Sequence, residues 1–465
     1  MSLLSRRRFM GLAALSAAVQ SPSVRLSHAA ETRLRETAAP ARRRMRITEI
    51  EVHQAPMRFQ DFNATTLFRY HGLAFVYRTF YIVKTDVGLE GYGESIGPAG
   101  PDADRFQKYV GTDPFDWIGE TENLPINMAV YDLMGKYLGL PAWKLLGQKV
   151  RSWMPVAAWT VSQPPEAMAA ELERAAGLGY RWLKYHVGEI QNVVDQTAAM
   201  QRVAPPGFRV HYDFNANSHY EAVFPVLKEL ERFPVAARVE DPILPEDHDG
   251  YRRLLRECSL SILLHHAPGE VMIERLCDGY MAGHAPVGSA AKLAAIAEAT
   301  NTPIMFQNSG GTINQAFQAH ETAVFKMAVL DHVNVVHLWK DDVTAETMPV
   351  VSGSVRVPDG PGLGVTLDRE KLEQCKQNPI PKQTRFLVRV RYATGLTIYA
   401  RHDPDQPGAV DNLRYVDRAF GAAVPGPAPG YGNPVVSDFW DEEGTAEFER
   451  IWKQTEAGPA WEEKG

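Results

Sequence analysis

Short apolar runs alternate with segments of helical periodicity through the middle of the chain. The runs end in polar residues and are typical of buried strands, whereas the segments between them carry apolar residues at helical spacing. The eight runs lie at 155–160, 182–188, 208–215, 236–243, 261–267, 278–285, 303–308 and 333–339. Eight such repeats are what a (β/α)8 barrel requires, so we predict an α/β fold with a TIM-like barrel over residues 149–345.

Four of these runs carry a polar side chain near their end at regular intervals. His186, Asp213, Glu240 and His266 are separated by 27, 27 and 26 residues, about the length of one βα unit. Because the carboxyl ends of barrel strands lie on one face, we expect these side chains to meet there. Imidazole and carboxylate groups are common metal ligands, so the pattern predicts a metal site.

The pattern changes on both sides of the barrel. Residues 46–148 begin with strand-like alternation and continue into helices, which predicts a small N-terminal α+β capping domain. Residues 346–380 have the pattern of a segment that returns to this domain. Residues 381–465 form a C-terminal extension with a hairpin, a Pro/Gly-rich link and an acidic helix. Whether the extension covers the barrel or mediates assembly is left open by the sequence.

The first 45 residues differ from the rest of the chain. Arg6-Arg7-Arg8 precedes the apolar stretch 11–19, and this pattern resembles a twin-arginine export signal over residues 1–30, followed by a disordered linker over 31–45. The apolar stretch is too short for a permanent membrane helix. We therefore expect an exported or periplasmic protein without a membrane span after cleavage. The alternative is a basic leader on a cytoplasmic protein whose translation begins at Met45.

The charge composition of the chain indicates which kind of molecule it binds. The 465 residues carry a net charge of −7, with 45% hydrophobic and 23% charged residues. Because nucleic-acid binding requires an excess of basic side chains, we expect small-molecule chemistry and no nucleic-acid partner.

Several motifs occur together over about residues 45–370: MRITEIEV, TDVGLEGYGE, LMGKYLGLPAWKLLG, DFN, EDP and PDGPGLGV. In this order they are similar to motifs of the enolase superfamily, in its mandelate racemase and muconate lactonizing branch. The resemblance implies a capping domain over a barrel and a divalent metal, usually magnesium. It also implies a small-molecule carboxylate substrate that loses its α-proton, and a homo-oligomer.

The metal ligands of the family match Asp213 and Glu240, with Asn215 lining the site beside the first. At the third position the family has a carboxylate, whereas this chain has His266. His265 should point to the other side of the strand. Two carboxylates and an imidazole suit manganese, zinc or iron better than magnesium. The alternative for His266 is a hydrogen-bonded pocket residue that binds no metal.

The expected proton-transfer groups also depart from the family. Lys184 and His186 occupy the place of a Lys-x-Lys pair, so we expect His186 to be the base and Lys184 to neutralise the substrate carboxylate. A lysine that only pairs with an acid is the alternative for Lys184. His284 stands where racemases have an aspartate, and Gln307 or Asn308 stands where they have its partner histidine.

The missing Asp-His pair favours a lyase that dehydrates a hydroxy acid, such as a sugar acid, with His186 as base. A racemase or epimerase with His284 as second base is the first alternative. A barrel that binds acids without turnover and a metal-dependent hydrolase are the others. Further substrate-binding candidates are His71, with Arg69 and Tyr70, and His337, with Trp339.

Overall fold

The computed structural model describes residues 44–100, 103–187, 191–216, 218–382, 384–405 and 435–463. The expected export signal, nearly all of the expected linker and the Pro/Gly-rich link at 424–434 lie outside these ranges. Within them, none of the helices has the length and hydropathy of a membrane-spanning segment.

The N-terminal part of the described chain is a small antiparallel sheet covered by helices. Its strands pair in the order β1-β2-β3. They are β1 (Ile47–Pro56), β2 (Tyr77–Thr85) and β3 (Glu90–Ile96). The helices are α1 (Ala64–His71), α2 (Leu73–Val76), α3 (Leu124–Leu138) and α4 (Trp143–Leu146), with 3-10 turns at Ala103–Tyr109 and Pro114–Trp117. This arrangement confirms the predicted capping domain.

The next eight strands are parallel and form a closed barrel, because β11 pairs with β4. They are β4 (Trp153–Val161), β5 (Trp182–His186), β6 (Arg209–Asp213), β7 (Ala236–Glu240), β8 (Ser261–Leu264), β9 (Gly279–Gly283), β10 (Ile304–Gln307) and β11 (His332–Val333). The connecting helices are α5 (Pro165–Gly177), α6 (Val193–Val203), α7 (Tyr220–Leu230), α8 (His248–Glu257), α9 (Glu270–Ile273), α10 (Val287–Thr300) and α11 (Thr312–Val324). The predicted (β/α)8 barrel is therefore confirmed.

The eighth strand differs from the prediction. The apolar run 333–339 was expected to be a strand, but β11 ends at Val333, and Val336–Leu338 is a 3-10 turn. Val335 has a left-handed backbone with φ 69°, which interrupts the extended conformation. The run is apolar because Val335 and Leu338 are buried in the core beneath the capping domain.

The capping domain and the barrel interior share one hydrophobic core. Its members include Phe80 and Leu133 of the capping domain together with Trp159, Met281 and Met305 from barrel strands. A second core lies between the barrel and its helices. Because apolar side chains from both parts pack in the first core, the cap is held against the open end of the barrel.

A buried charged network fixes the same contact. The guanidinium of Arg78 pairs with Glu94 and lies 3.2 Å from Oδ1 of Asp342. Glu94 accepts the Gly311 N–H at 2.7 Å, and Asp342 accepts the Thr312 N–H at 3.0 Å. Both carboxylates therefore bind the first N–H groups of α11, where the helix dipole favours negative charge.

The segment after the barrel returns to the capping domain. It contains β12 (Ser354–Arg356), antiparallel to β4, and α12 (Arg369–Cys375). At its turn, the Leu363 N–H donates to Oδ1 of Asp132 on α3 at 2.9 Å. Gly362 has φ +67°, and a Cβ there would lie 2.7 Å from the Asp132 carbonyl oxygen. This glycine is therefore required by both backbone conformation and space.

Gly362→Ala should lower the free energy of unfolding by about 2–4 kcal/mol, because strain at positive φ adds to a clash with α3. Gly207→Ala is the control: φ is +83° there and nothing lies within 4 Å of the added Cβ. The control should lose only about 1–2 kcal/mol. Urea unfolding measures both values, and equal losses would contradict the clash.

The C-terminal extension has a small sheet of its own, with strands in the order β15-β13-β14-β16. They are β13 (Phe386–Tyr392), β14 (Leu396–His402), β15 (Val435–Trp440) and β16 (Ala460–Glu463). Helix α13 (Ala446–Gln454) packs Phe448 and Ile451 against Leu387 and Trp440 on one face of this sheet. The predicted hairpin is present, and the helix is shorter than the acidic segment 441–456 that predicts it.

Candidate active site

One buried lysine connects side chains from neighbouring barrel strands. Lys184, on β5, places its Nζ 3.0 Å from Oδ2 of Asp213 on β6 and 2.8 Å from Oε2 of Glu240 on β7. The parallel register pairs His186 with Asp213, and Asp213 with Glu240. Gln307, at the end of β10, accepts a further bond from Lys184 at 2.5 Å. The structure thus brings these predicted site residues together, while their roles remain predictions.

The charges in this cluster stabilise one another. Burial disfavours the ammonium of Lys184, but the carboxylates of Asp213 and Glu240 outweigh that effect and raise its pKa. Burial also raises the pKa of Glu240, but Lys184 and two imidazoles outweigh it and lower this pKa well below its usual value. Lys184 and Glu240 are therefore charged at neutral pH.

His186 lies at the outer edge of this cluster. Its Nε2 is 3.3 Å from Oδ2 of Asp213, and its side chain is 20% exposed, whereas Lys184 is fully buried. The ring meets the indole of Trp159 edge to face, with centroids 5.0 Å apart. A partly exposed imidazole beside a carboxylate and a lysine has the access and the orientation that a base requires.

The two consecutive histidines differ from the expectation. His265 places Nδ1 3.2 Å from Oε1 of Glu240, whereas His266 is 47% exposed and pairs with Asp241. His265 therefore lies against Glu240, contrary to the expectation that it points to the other side of the strand, and the assignment of His266 as a metal ligand stays a prediction. The reason is that β8 ends at Leu264, so strand alternation no longer decides where the next two side chains point.

Asp241, His265 and His266 also form a group whose ligand atoms lie within 4.8 Å of one another. However, the oxygens of Asp241 already accept the backbone N–H of His265 at 2.8 Å and of His266 at 3.2 Å. These bonds fix the turn after β8, and the ring nitrogens of the two histidines are still available beside Asp241 as donors for an ion.

The sequence reasoning missed His211 on β6. This residue is 1% exposed, and its Nε2 lies 2.9 Å from Oε2 of Glu240. Burial lowers the pKa of His211, although Glu240 opposes the shift. The available signal was its position two residues before Asp213, which places both side chains on the same face of the strand.

A cavity of about 450 Å³ lies between the capping domain and the barrel. Its lining includes Phe75, Ser95 and Arg105 from the cap, and His284 and Ser309 after β9 and β10. His284 exposes its ring to this cavity. Enclosure by the protein, with His265 and Lys184 nearby, lowers its pKa to about 4, so its imidazole is neutral at pH 7.

His71 reaches the site through an aromatic cluster. Its ring stacks on Phe75 at 4.1 Å and lies 5.5 Å from Trp159, which in turn contacts His186. Burial and the nearby His186 lower the pKa of His71 to about 3. His71 is therefore a neutral part of the wall beside the candidate base.

The remaining predicted residues lie in three different settings. Asn215 has φ 54°, and its N–H donates to Oδ1 of Asp213 at 2.9 Å. Asn308 follows β10, is fully buried, and neither polar atom of its amide has a hydrogen-bond partner among the described residues. His337 lies 2.9 Å from the Trp159 carbonyl and packs on Tyr180, and its role in substrate binding stays a prediction.

Asp213, Glu240 and His265 offer donors of the kind that divalent cations bind, but the ammonium of Lys184 lies between the two carboxylates. Three carboxylate oxygens of Asp213 and Glu240 already lie within 3.0 Å of one cationic atom, Lys184 Nζ. His265 offers an imidazole nitrogen beside the same Glu240 carboxylate. Oxygen and imidazole ligands of this kind bind manganese, zinc or iron, and less readily magnesium.

Lys184→Met should lower the free energy of unfolding by about 3–5 kcal/mol, because it leaves two buried carboxylates without their counter-charge. Excess Mn²⁺ should recover part of that loss by supplying the missing positive charge. Lys149→Met, which breaks a partly exposed pair with Asp359, should cost at most about 1 kcal/mol. Thermal unfolding measures all three, and a Lys184→Met protein indifferent to Mn²⁺ would argue against a cation site.

A second buried carboxyl, Glu171 of α5, joins the barrel to the capping segment. Its oxygens accept hydrogen bonds from Nδ2 of Asn63 at 3.4 Å and from Nε2 of Gln163 at 3.2 Å. Burial raises the pKa of Glu171 to about 7, although these bonds oppose the shift. The folded protein therefore holds this proton more tightly than the unfolded chain does.

Because the folded pKa is raised above 4.5, stability from Glu171 is present at low pH and is lost as pH rises through 7. We expect this group to lower the free energy of unfolding by up to about 3 kcal/mol between pH 4.5 and 8. Glu171→Gln should remove this pH-dependent loss of unfolding free energy. The control Glu173→Gln changes an exposed neighbour and should leave the loss in place. Urea unfolding across this range tests the expectation, which fails if Glu171→Gln retains the wild-type pH dependence.

Comparison with known proteins places this geometry in context. The enolase C-terminal domain-like family model matches residues 167–371. D-galactonate dehydratase of Xanthomonas axonopodis pv. citri (strain 306) is 30% identical over 284 residues, which cover 55% of this chain and 73% of that protein. D-galactonate dehydratase of Variovorax paradoxus (strain S110) is 28% identical over 283 residues, with the same coverage of 55% and 73%.

Two solved structures show the same fold. The 3,6-anhydro-D-galactonate cycloisomerase from Zobellia galactanivorans superposes with a TM-score of 0.57 at 21% identity, covering 71% of this chain and 99% of that one. A dipeptide epimerase from Cytophaga hutchinsonii, complexed with Mg and a dipeptide, gives a TM-score of 0.59 at 18% identity, covering 71% and 98%.

Proposed function

The chain belongs to the enolase superfamily, in its mandelate racemase and muconate lactonizing branch, and on that premise we propose that it dehydrates a sugar acid in a metal-dependent reaction. Its relatives include dehydratases, isomerases and epimerases, so the enzyme is a lyase or an isomerase. The observation that carries the proposal is the buried Lys184, Asp213 and Glu240 cluster with the partly exposed His186 beside it.

In the proposed reaction, Lys184 attracts the substrate carboxylate to the inner end of the site. His186 accepts the α-proton, and Asp213, 3.3 Å from its Nε2, orients the imidazole and stabilises its charged form. Asn308 offers a buried amide for a substrate hydroxyl. A divalent metal held by Asp213, Glu240 and the His265 imidazole would supply a fixed positive charge beside the substrate carboxylate.

Dehydration is favoured because one base is sufficient for it. His186 can remove the α-proton and return a proton to the departing β-hydroxyl, provided that both groups lie on the same face of the substrate. The relatives at 28–30% identity are D-galactonate dehydratases, which supports an aldonic acid as substrate. A racemase or epimerase is the second candidate, since His284 is neutral and faces the cavity.

The test is incubation with a panel of aldonic and aldaric acids, beginning with D-galactonate, in D2O with Mg²⁺ or Mn²⁺. A dehydratase forms a 2-keto-3-deoxy acid, which semicarbazide detects, whereas an epimerase forms a deuterated epimer, which NMR detects. We expect the keto acid, with His186→Asn slower by about 10²–10⁴-fold.

His284→Asn is the matched variant for this experiment. It should reduce keto-acid formation far less than His186→Asn does, whereas a two-base epimerase would lose activity in both variants. Binding of an acid without product or deuterium exchange would overturn the proposal and favour a non-catalytic barrel.

A further inference from the structure

The C-terminal extension, which lies beyond the matched residues 167–371, touches the capping domain at α1. Oδ2 of Asp441 lies 2.5 Å from Nη2 of Arg69, and the Arg69 guanidinium lies 5.5 Å from the centre of the Phe439 ring. Phe439 also packs against the core shared by cap and barrel. One arginine of α1 is therefore held by an acid and an aromatic ring of the extension.

A cavity lies next to this contact. A cavity of about 470 Å³ separates α1 from the first hairpin of the extension, and its lining includes Phe59 and Phe68 of the cap and Phe386 of β13. Beside this cavity, Arg69, Asp441 and Phe439 supply an ion pair and a cation–π contact between α1 and the extension.

Helix α1 leads directly to the candidate base. Its last residue, His71, stacks on Phe75 at 4.1 Å, and both rings lie within 6 Å of Trp159. Trp159 meets His186 edge to face at 5.0 Å. A movement of α1 would therefore change the wall that fixes the His186 ring.

The other end of α1 is attached to the barrel. Asn63, immediately before the helix, donates to Glu171 of α5, and Leu67 is fully buried in the core. After the helix, Gly72 has φ 55°, a conformation that suits glycine at a turn. The part of α1 near the active site is thus the part that the extension holds.

We propose that Asp441 and Phe439 are positioning residues, which act through Arg69 to hold α1 closed over the barrel mouth beside His186. Because Leu67 and His71 are buried, the ion pair and the cation–π contact do not hold α1 alone, and they add a weak restraint at the end of the helix beside His186. Loss of this restraint would let the end of α1 move more often away from the wall beside His186. The kinetic part of this inference rests on the proposed function, whereas the structural part does not.

The structural test is hydrogen–deuterium exchange of backbone amides in residues 64–76 of the full chain. Asp441→Asn should speed exchange there by about fivefold, since it removes an ion pair of the partly exposed kind. Asp438→Asn is the matched control: it breaks a similar pair with Arg389 inside the extension and should leave residues 64–76 unchanged.

A double-mutant cycle tests whether the effect passes through Arg69. Arg69→Gln and Asp441→Asn should each speed exchange, and the double variant should be no faster than Arg69→Gln alone. High salt should speed exchange in the wild type but not in Asp441→Asn, because only the wild type has a pair to screen. Additive effects, or equal exchange in Asp441→Asn and Asp438→Asn, would overturn the inference.

The kinetic test uses whichever acid the enzyme turns over. Asp441→Asn should raise KM by about threefold and leave kcat within about twofold, because substrate binding must then reclose α1 before an unchanged chemical step. An unchanged KM would overturn the positioning role even if exchange is faster. Lack of turnover with every acid would count against the proposed function alone, since the exchange result stands independently.

Discussion

The interaction on which the rest of the site depends is a single ammonium group inside the barrel. Lys184 is fully buried and compensates two carboxylates from the next two strands. Without it, Asp213 and Glu240 would be charges in a low-dielectric interior, at a cost of several kcal/mol each. The barrel geometry makes the arrangement possible, because parallel strands in register deliver these three side chains to one point.

The capping domain turns this charged centre into an enclosed site. Buried apolar residues of the cap and of the barrel interior form one core, and Glu94, which pairs with Arg78, accepts the Gly311 N–H at the start of α11. Rings from α1, α2 and β4 then cover the mouth next to His186. Exclusion of water in this way strengthens every electrostatic interaction that a proton transfer would use.

The sequence was least informative about the orientation of side chains that follow the last residue of a strand. Periodicity and motif order predicted the barrel, the capping domain and the positions of Lys184, His186, Asp213 and Glu240. They did not predict that His265 rather than His266 faces Glu240, since β8 ends before both residues. The position of His211 two residues before Asp213 indicates the same face of the strand, but its partner Glu240 lies on another strand, so the sequence did not reveal the contact.

By itself, the sequence determined the fold class and the regular spacing of polar residues at the strand ends. The reason is that hydrophobic periodicity and repeat length are local properties, and secondary structure follows directly from them. The tertiary structure alone decided the shortened eighth strand, the neutral His284 facing the cavity, and the docking of the extension on α1. Arg69 and Asp441 are 372 residues apart. A contact between such distant segments depends on how complete surfaces fit together, and neither segment carries a local signal of its partner.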